Sequence, residues 1–165
     1  MVWEMMKVQG YSDLDAIVTT VSGGGMASGI CVAAKNINPN LKVILVTPQG
    51  KMLEECLSSG ERKWPDPPQF LDTIAEGIKT QQLGMKTFPI LCNYAENYVI
   101  EVTDKEMTEG MRFAAERMKM VIEASAGAVV ASLLFHSDKI RSGHWRKFNL
   151  FSILDESVQK VRHWR

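Results

Sequence analysis

A chain of 165 residues, 45% of them hydrophobic, is long enough for one domain with a buried core. Its 19 basic and 19 acidic residues cancel, so no global field draws in nucleic acid or an anionic membrane. No apolar run reaches the length of a membrane span, and the opening Met1-Val2-Trp3-Glu4-Met5-Met6-Lys7 lacks the basic-then-apolar build of a signal peptide.

Met1 to Gln9 reads as a short helix ended by Gly10. Ala16 to Val21 is a β-branched run, and it leads into Ser22-Gly23-Gly24-Gly25-Met26. A helix follows from Met26 to Lys35, with Ile30, Cys31 and Ala34 on its inner face and Ser28 and Lys35 elsewhere; Asn36 to Asn40, with Pro39, stops it. Leu41 to Thr47 predicts a second, mostly buried strand. Strand, helix and strand within about 30 residues make a parallel βαβ unit. Pro48-Gln49-Gly50 is a turn, and Lys51 to Ser58 is helical, with Met52, Leu53 and Cys56 on one side. Trp64-Pro65-Asp66-Pro67-Pro68 is a loop, because proline removes donors and restricts its neighbours. Phe88 to Leu91 suggests a helical turn, and Asn97 to Val102 a strand. Thr103 and Glu106 have the spacing of a capping box for a helix running to about Met118, with Met107, Met111, Ala114 and Met118 as its inner stripe. An apolar helix is expected over Ala128 to Phe135, a strand within Phe148 to Leu154, and a basic helix over Asp155 to Arg165.

Strand, glycine turn and helix are the build of an anion cradle. Glycines take positive φ and let the backbone approach a ligand, and the new helix offers unpaired N–H groups at the positive end of its dipole. A phosphate can be held there without a side-chain charge. A tight turn with no ligand is the plainer alternative. Two further residues stand out. Glu123, in Val121-Ile122-Glu123-Ala124-Ser125-Ala126-Gly127, is a carboxylate among apolar neighbours, where burial would favour its protonated form, unless it only favours a helix entrance. Gly77, in Thr73-Ile74-Ala75-Glu76-Gly77-Ile78, suits a backbone passing close to something flat, or a plain loop.

Taken together, Val21 to Met26 with Gly29-Ile30, Thr73 to Ile78, and Glu116-Arg117-Met118 through Ile122 to Gly127 resemble the serine racemase and serine/threonine dehydratase family. These are pyridoxal-phosphate enzymes, and the resemblance covers about residues 13–135. It implies an α/β fold, an open, mostly parallel twisted sheet with flanking helices, as in the large domain of fold-type II enzymes. It implies that Ser22, Gly23, Gly24, Gly25 and Met26 bind the phosphate of pyridoxal 5'-phosphate, that Gly77 lies against the cofactor, and that Glu123 lies near its ring. It also implies a small hydroxy amino acid as substrate, with the cofactor as electron sink for racemisation or ammonia loss.

The same resemblance implies departures. The family's imine lysine sits in an S-x-K-x-R-G type motif of an N-terminal half, which nothing here matches, and the closing Ser/Thr-Gly-Gly-Asn turn has no counterpart in Phe148 to Asp155. No catalytic residue is assigned, and the chain alone is expected to be inactive or nearly so, as a truncated or splice form would be. Residues 1–135 would form the phosphate-binding domain and 136–165 a diverged basic tail. A cleft lacking one half would expose apolar surface, favouring self-association or a partner. No metal is expected at Thr47-Pro48, because Lys51 and Leu53 lie where the family has a carbonyl donor and an acid.

Two rivals remain open. Gly23-x-Gly25-x-x-Ser28 is one residue short of the dinucleotide fingerprint, and Thr47 stands where an acid would hold a ribose. Alternatively, the chain is a non-catalytic module that pairs with a full-length subunit. A P-loop is excluded, since no Gly-Lys-Ser/Thr follows the glycines. Arg141, Trp145, Arg146 and Lys147 read as a solvated tail rather than a strand-binding surface. His136, His144 and His163 have no zinc spacing with the cysteines. Cys31, Cys56 and Cys92 are odd in number and far apart, which fits reduced thiols in the cytoplasm.

Overall fold

The computed structural model describes residues 14–141 and 148–151; the expected helices over Met1 to Gln9 and Asp155 to Arg165 lie outside them. Strands β1 (Ala16–Thr20), β2 (Lys42–Pro48), β3 (Val99–Val102) and β4 (Phe148–Phe151) form one sheet in the order β3-β2-β1-β4. Every pairing is parallel: Ala16 is opposite Lys42, Leu45 opposite Val99, and Ala16 opposite Phe148. This is the open parallel α/β architecture expected. Chain order runs from β1 through β2 to β3 on one side and returns to the other side of β1 for β4. The order therefore reverses at β1.

The strands read as continuous apolar runs because both faces of the sheet are covered. Ile17, Val43, Leu45 and Val99 point to one layer, which holds Ala27, Ile30, Cys31 and Ala34 of α1 (Gly25–Ile37). Ala16, Val18, Ile44, Val46, Ile100 and Val102 point to the other, which holds Met107 of α4 (Asp104–Phe113) and Ala128, Val129 and Ala131 of α5 (Ala124–Phe135). Each of the Val, Leu and Ile side chains among these, fully buried, contributes about 1.5–3 kcal/mol. Two-sided packing of β1 and β2 makes them the centre of the core.

The helices differ from expectation in detail. Ser28 is buried, and its hydroxyl donates to the Thr87 carbonyl at 3.4 Å. Helix α2 (Leu53–Ser59) starts two residues late: Met52 is the exposed residue before it, at φ 56°, and Leu57 joins Leu53 and Cys56 inside. Helix α3 (Phe88–Tyr94) is longer than a single turn, anchored by buried Phe88 and Leu91. Trp64 leaves the proline-rich loop for the core, where it meets Phe88 edge-on with centroids 5.7 Å apart.

The capping box at Thr103 is present in both directions: the Glu106 N–H donates to Thr103 Oγ1 at 3.1 Å, and the Thr103 N–H donates to Glu106 Oε2 at 2.7 Å. Helix α4 continues as a π-helical turn to Met118, and Lys119 at φ 57° ends it. Met107 and Ala114 are fully buried, while Met111 and Met118 are only partly so. Helix α5 starts at Ala124, at the helix entrance that is one reading of Glu123 and four residues before the other expected start, Ala128. Ser125, Ala126 and Gly127 have the composition of a break, but packing overrides it: a Cβ on Gly127 would stand 2.7 Å from the Met107 carbonyl, so only a residue this small lets α4 and α5 cross here. Helix α6 (Ser137–Arg141) buries Ile140 beneath the sheet layer that holds α5. Among the described residues no helix is long and apolar enough to cross a membrane.

Candidate functional site

Ser22 to Met26 form the turn at the carboxyl end of β1 and open α1, a helix of 13 residues. In open α/β sheets, ligands bind outside the carboxyl ends of the strands where strand order reverses, and β1 is that strand. Gly24 precedes the helix at φ 91°, a left-handed conformation that glycine takes without strain. No side chain caps α1, so its first N–H groups keep their donors for whatever meets the turn. A Cβ built on Gly23 or on Gly25 would meet nothing within 4 Å, so one side of the turn is open.

The other side is held. The Gly23 carbonyl accepts two hydrogen bonds, from the Gly84 N–H at 2.9 Å and from Thr87 Oγ1 at 2.7 Å. A Cβ on Gly24 would stand 2.8 Å from Thr87 Oγ1 and 3.2 Å from Leu83 Cδ2. Neither Gly84 nor Thr87 stood out along the sequence. A threonine ahead of Phe88-Pro89 has the look of a helix cap, yet its hydroxyl reaches 64 residues back along the chain instead.

The structure brings Gly77 and Glu123 together, on the sheet face opposite α1. Gly77 lies in a 3-10 turn, Glu76–Ile78, between buried Ala75 and Ile78. A Cβ on Gly77 would stand 2.8 Å from Ser125 Oγ and 3.5 Å from Glu123 Oε1. The segment is tied to the start of α4: Thr73 Oγ1 donates to Asp104 Oδ1 at 2.5 Å, and the Ile74 N–H donates to Asp104 Oδ2 at 3.2 Å. Glu123 immediately precedes α5 without capping it by its side chain. It is exposed, not buried as its apolar neighbours suggested. The reason is the loop after Lys119, which turns Val121 and Glu123 outward and Ile122 inward. Ser125, also missed, is buried, and its Oγ has no hydrogen-bond partner among the described residues.

The segment after β2 holds a buried lysine. Lys51 is wholly out of water, its Nζ donates to the Thr80 carbonyl, and burial pushes its pKa down to about 7. Its own carbonyl accepts from Trp64 Nε1 at 2.6 Å. Thr80 pairs with Phe70 across an antiparallel bridge, so Lys51 ties down the loop that carries Gly77. Among the described residues, no three His, Cys, Asp or Glu side chains converge as a metal set.

A family model described as pyridoxal-phosphate dependent enzyme matches residues 1–145. Serine racemase of Dictyostelium discoideum is 42% identical over 125 residues, which is 74% of this chain and 37% of the relative. L-threo-3-hydroxyaspartate ammonia-lyase of Saccharomyces cerevisiae is 34% identical over 128 residues, 77% of this chain and 38% of the relative. Among solved structures, a pyridoxal 5'-phosphate-dependent aspartate racemase superposes with a TM-score of 0.84 at 51% identity, covering 92% of this chain and 46% of that one. The Dictyostelium discoideum serine racemase structure gives 0.77 at 35% identity, covering 96% of this chain and 48% of that one. The chain thus spans less than half the length of each of these relatives.

Proposed function

Because the chain belongs to the family of pyridoxal-phosphate dependent enzymes, we propose that Ser22, Gly23, Gly24, Gly25 and Met26 hold the cofactor phosphate, that Gly77 lies against the cofactor, and that Glu123 stands near its ring. The observation that carries this reading is the glycine turn itself: it is open on one side, begins an uncapped helix, and ends the strand at which sheet order reverses. A phosphate fits such a place, since backbone N–H groups and the helix dipole supply about 0.3–2 kcal/mol per charge without any lysine or arginine. The Ser22 hydroxyl would add one donor. Ser125 and Glu123 fill the place a Gly77 side chain would take, so the bare Gly77 backbone lies close to the exposed Glu123 carboxylate, which would accept a hydrogen bond from a polar ring atom. When bound, the cofactor supplies an electron sink for the charge left on a substrate Cα as its proton departs.

The names of the relatives support a substrate class. Serine, threo-3-hydroxyaspartate and aspartate are small amino acids with a polar group on Cβ. The activity proposed for the whole protein is racemisation of such an amino acid or ammonia loss from it, as in a serine racemase or serine/threonine ammonia-lyase. These 165 residues contain no counterpart of the family's S-x-K-x-R-G lysine motif. On their own they would therefore bind the cofactor phosphate without turning over amino acids, residues 1–135 carrying the site and 136–165 adding no site residue. Exposed Phe70, Met85 and Val121 favour association with a second copy or a full-length subunit that supplies the lysine. Three thiols without a disulfide among the described residues favour a cytoplasmic location.

An absorbance titration with pyridoxal phosphate tests the reading. Saturable binding that inorganic phosphate competes away is expected, without the spectrum of cofactor joined to a lysine and without turnover of serine or threonine. A folded chain that binds no pyridoxal phosphate would refute the site. A covalently joined cofactor with turnover would refute the claim that the chain is inactive alone.

A further inference from the structure

We propose that Thr87 is a positioning residue for phosphate capture, acting through the peptide between Gly23 and Gly24; the proposal rests on the phosphate reading of the glycine turn. In a trans peptide the carbonyl and the following N–H point in opposite directions. The Gly23 carbonyl is pinned on one side by two donors, Thr87 Oγ1 at 2.7 Å and the Gly84 N–H at 2.9 Å. The Gly24 N–H is thereby turned away from Thr87. Without the pin, this peptide could rotate, because glycine on both sides of it offers little steric resistance.

The hydroxyl has one proton and two acceptors within reach, the Gly23 carbonyl and the Gly84 carbonyl at 3.1 Å, and the shorter contact is to Gly23. Thr87 is itself fixed. Its N–H donates to the Gly84 carbonyl at 3.2 Å, its own carbonyl accepts from the Leu91 N–H at 3.0 Å, and Ser28 Oγ of α1 donates to that carbonyl at 3.4 Å. Phe88 and Leu91 then anchor α3 in the same apolar layer as Ile30 and Cys31. The brace therefore belongs to the core. Its contact with Gly24 also explains why that position tolerates no side chain: the 2.8 Å approach of Thr87 Oγ1 adds to the constraint of φ 91°.

Thr87→Val removes the hydroxyl at nearly constant volume, and Thr87→Ser keeps the hydroxyl while trimming a methyl group. Binding of pyridoxal phosphate and of inorganic phosphate is measured by titration, with pyridoxal, which lacks the phosphate, as control, and thermal unfolding reports the fold. Thr87→Val is expected to weaken both phosphate-bearing ligands about tenfold, the loss that one hydrogen bond sustains, with pyridoxal binding little changed and the unfolding temperature lowered by only a few degrees. Thr87→Ser is expected to bind like the parent chain. A parent chain that binds well while Thr87→Val binds equally well overturns the brace alone. Equal weakening in Val and Ser variants, or equal loss of pyridoxal, also overturns it, because size or global packing would then be the cause. A parent chain that binds none of these ligands overturns the cofactor reading and the proposal with it.

Discussion

Lys51 offers the sharpest test of the tertiary packing. It heads the largest fully buried side chains, and its Nζ donates to the Thr80 carbonyl at the end of the loop carrying Gly77. Burial lowers its pKa from 10.5 to about 7. The unfolded chain keeps this proton up to the ordinary lysine range, while the folded chain gives it up near 7. Between those values the unfolded state binds more protons, so stability rises with pH across the window and is lowest below it. Each pH unit is worth at most about 1.4 kcal/mol. Because half the amine is still charged at the start of the window, pH 7 to 9 should add about 2 kcal/mol. Higher pH would confuse the result: burial raises the Cys31 thiol to about 12 and also raises Tyr98, and each subtracts stability once its unfolded form ionises. Lys51→Met keeps length and apolar bulk and removes the titration, at a cost of about 1–3 kcal/mol if the Thr80 carbonyl finds no new donor. Urea unfolding followed by circular dichroism at pH 6, 7, 8 and 9 should show the parent chain gaining stability and the variant not. A parent curve that is flat or falling over this range, or a variant that rises equally, would refute the assignment.

Two other outcomes follow from the same packing. Gly110→Ala should destabilise the fold by about 1–2 kcal/mol in chemical denaturation, since the new Cβ would stand 2.4 Å from the Gly127 carbonyl and 3.0 Å from the Ala131 nitrogen. A clash this close with rigid backbone falls in the upper part of the overpacking range, about 2–3 kcal/mol, which outweighs the roughly 1 kcal/mol of helix propensity gained; a variant as stable as the parent would contradict the α4–α5 crossing. Alkylation at pH 8 followed by peptide mass analysis should label Cys92 ahead of Cys31 and Cys56, because Cys92 is partly exposed while the other two are buried. Labelling of Cys31 first would contradict its burial.

Local patterns foretold much of the framework. The two-sided apolar runs of β1 and β2, the punctuation by Pro39 and Gly50, and the Thr103–Glu106 cap are short-range signals, and each element formed where they stood. The glycine turn, Gly77 and Glu123 were legible as unusual residues for the same reason: a run of three glycines, or an acid between apolar neighbours, breaks a pattern that one can read along the chain. The start of α5 was legible in two ways, with Glu123 at a helix entrance or the helix beginning only at Ala128, and the structure takes the first, because Gly127 lets α4 cross the first turn of α5. The burial of Lys51 was not legible, since a lysine beside a turn normally reaches water.

The sequence by itself determined a parallel α/β sheet whose first strand ends in a glycine turn that opens a helix. This follows because strand period, turn chemistry and helix caps act over a few residues. Only the tertiary structure decided that β1 is the strand where sheet order reverses, that Thr87 pins the Gly23 carbonyl from 64 residues away, and that Gly77 sits against Ser125 with Glu123 beside it. Those relations join segments far apart in the chain. They are set by which surfaces the sheet must cover, and no spacing along the chain encodes such a contact.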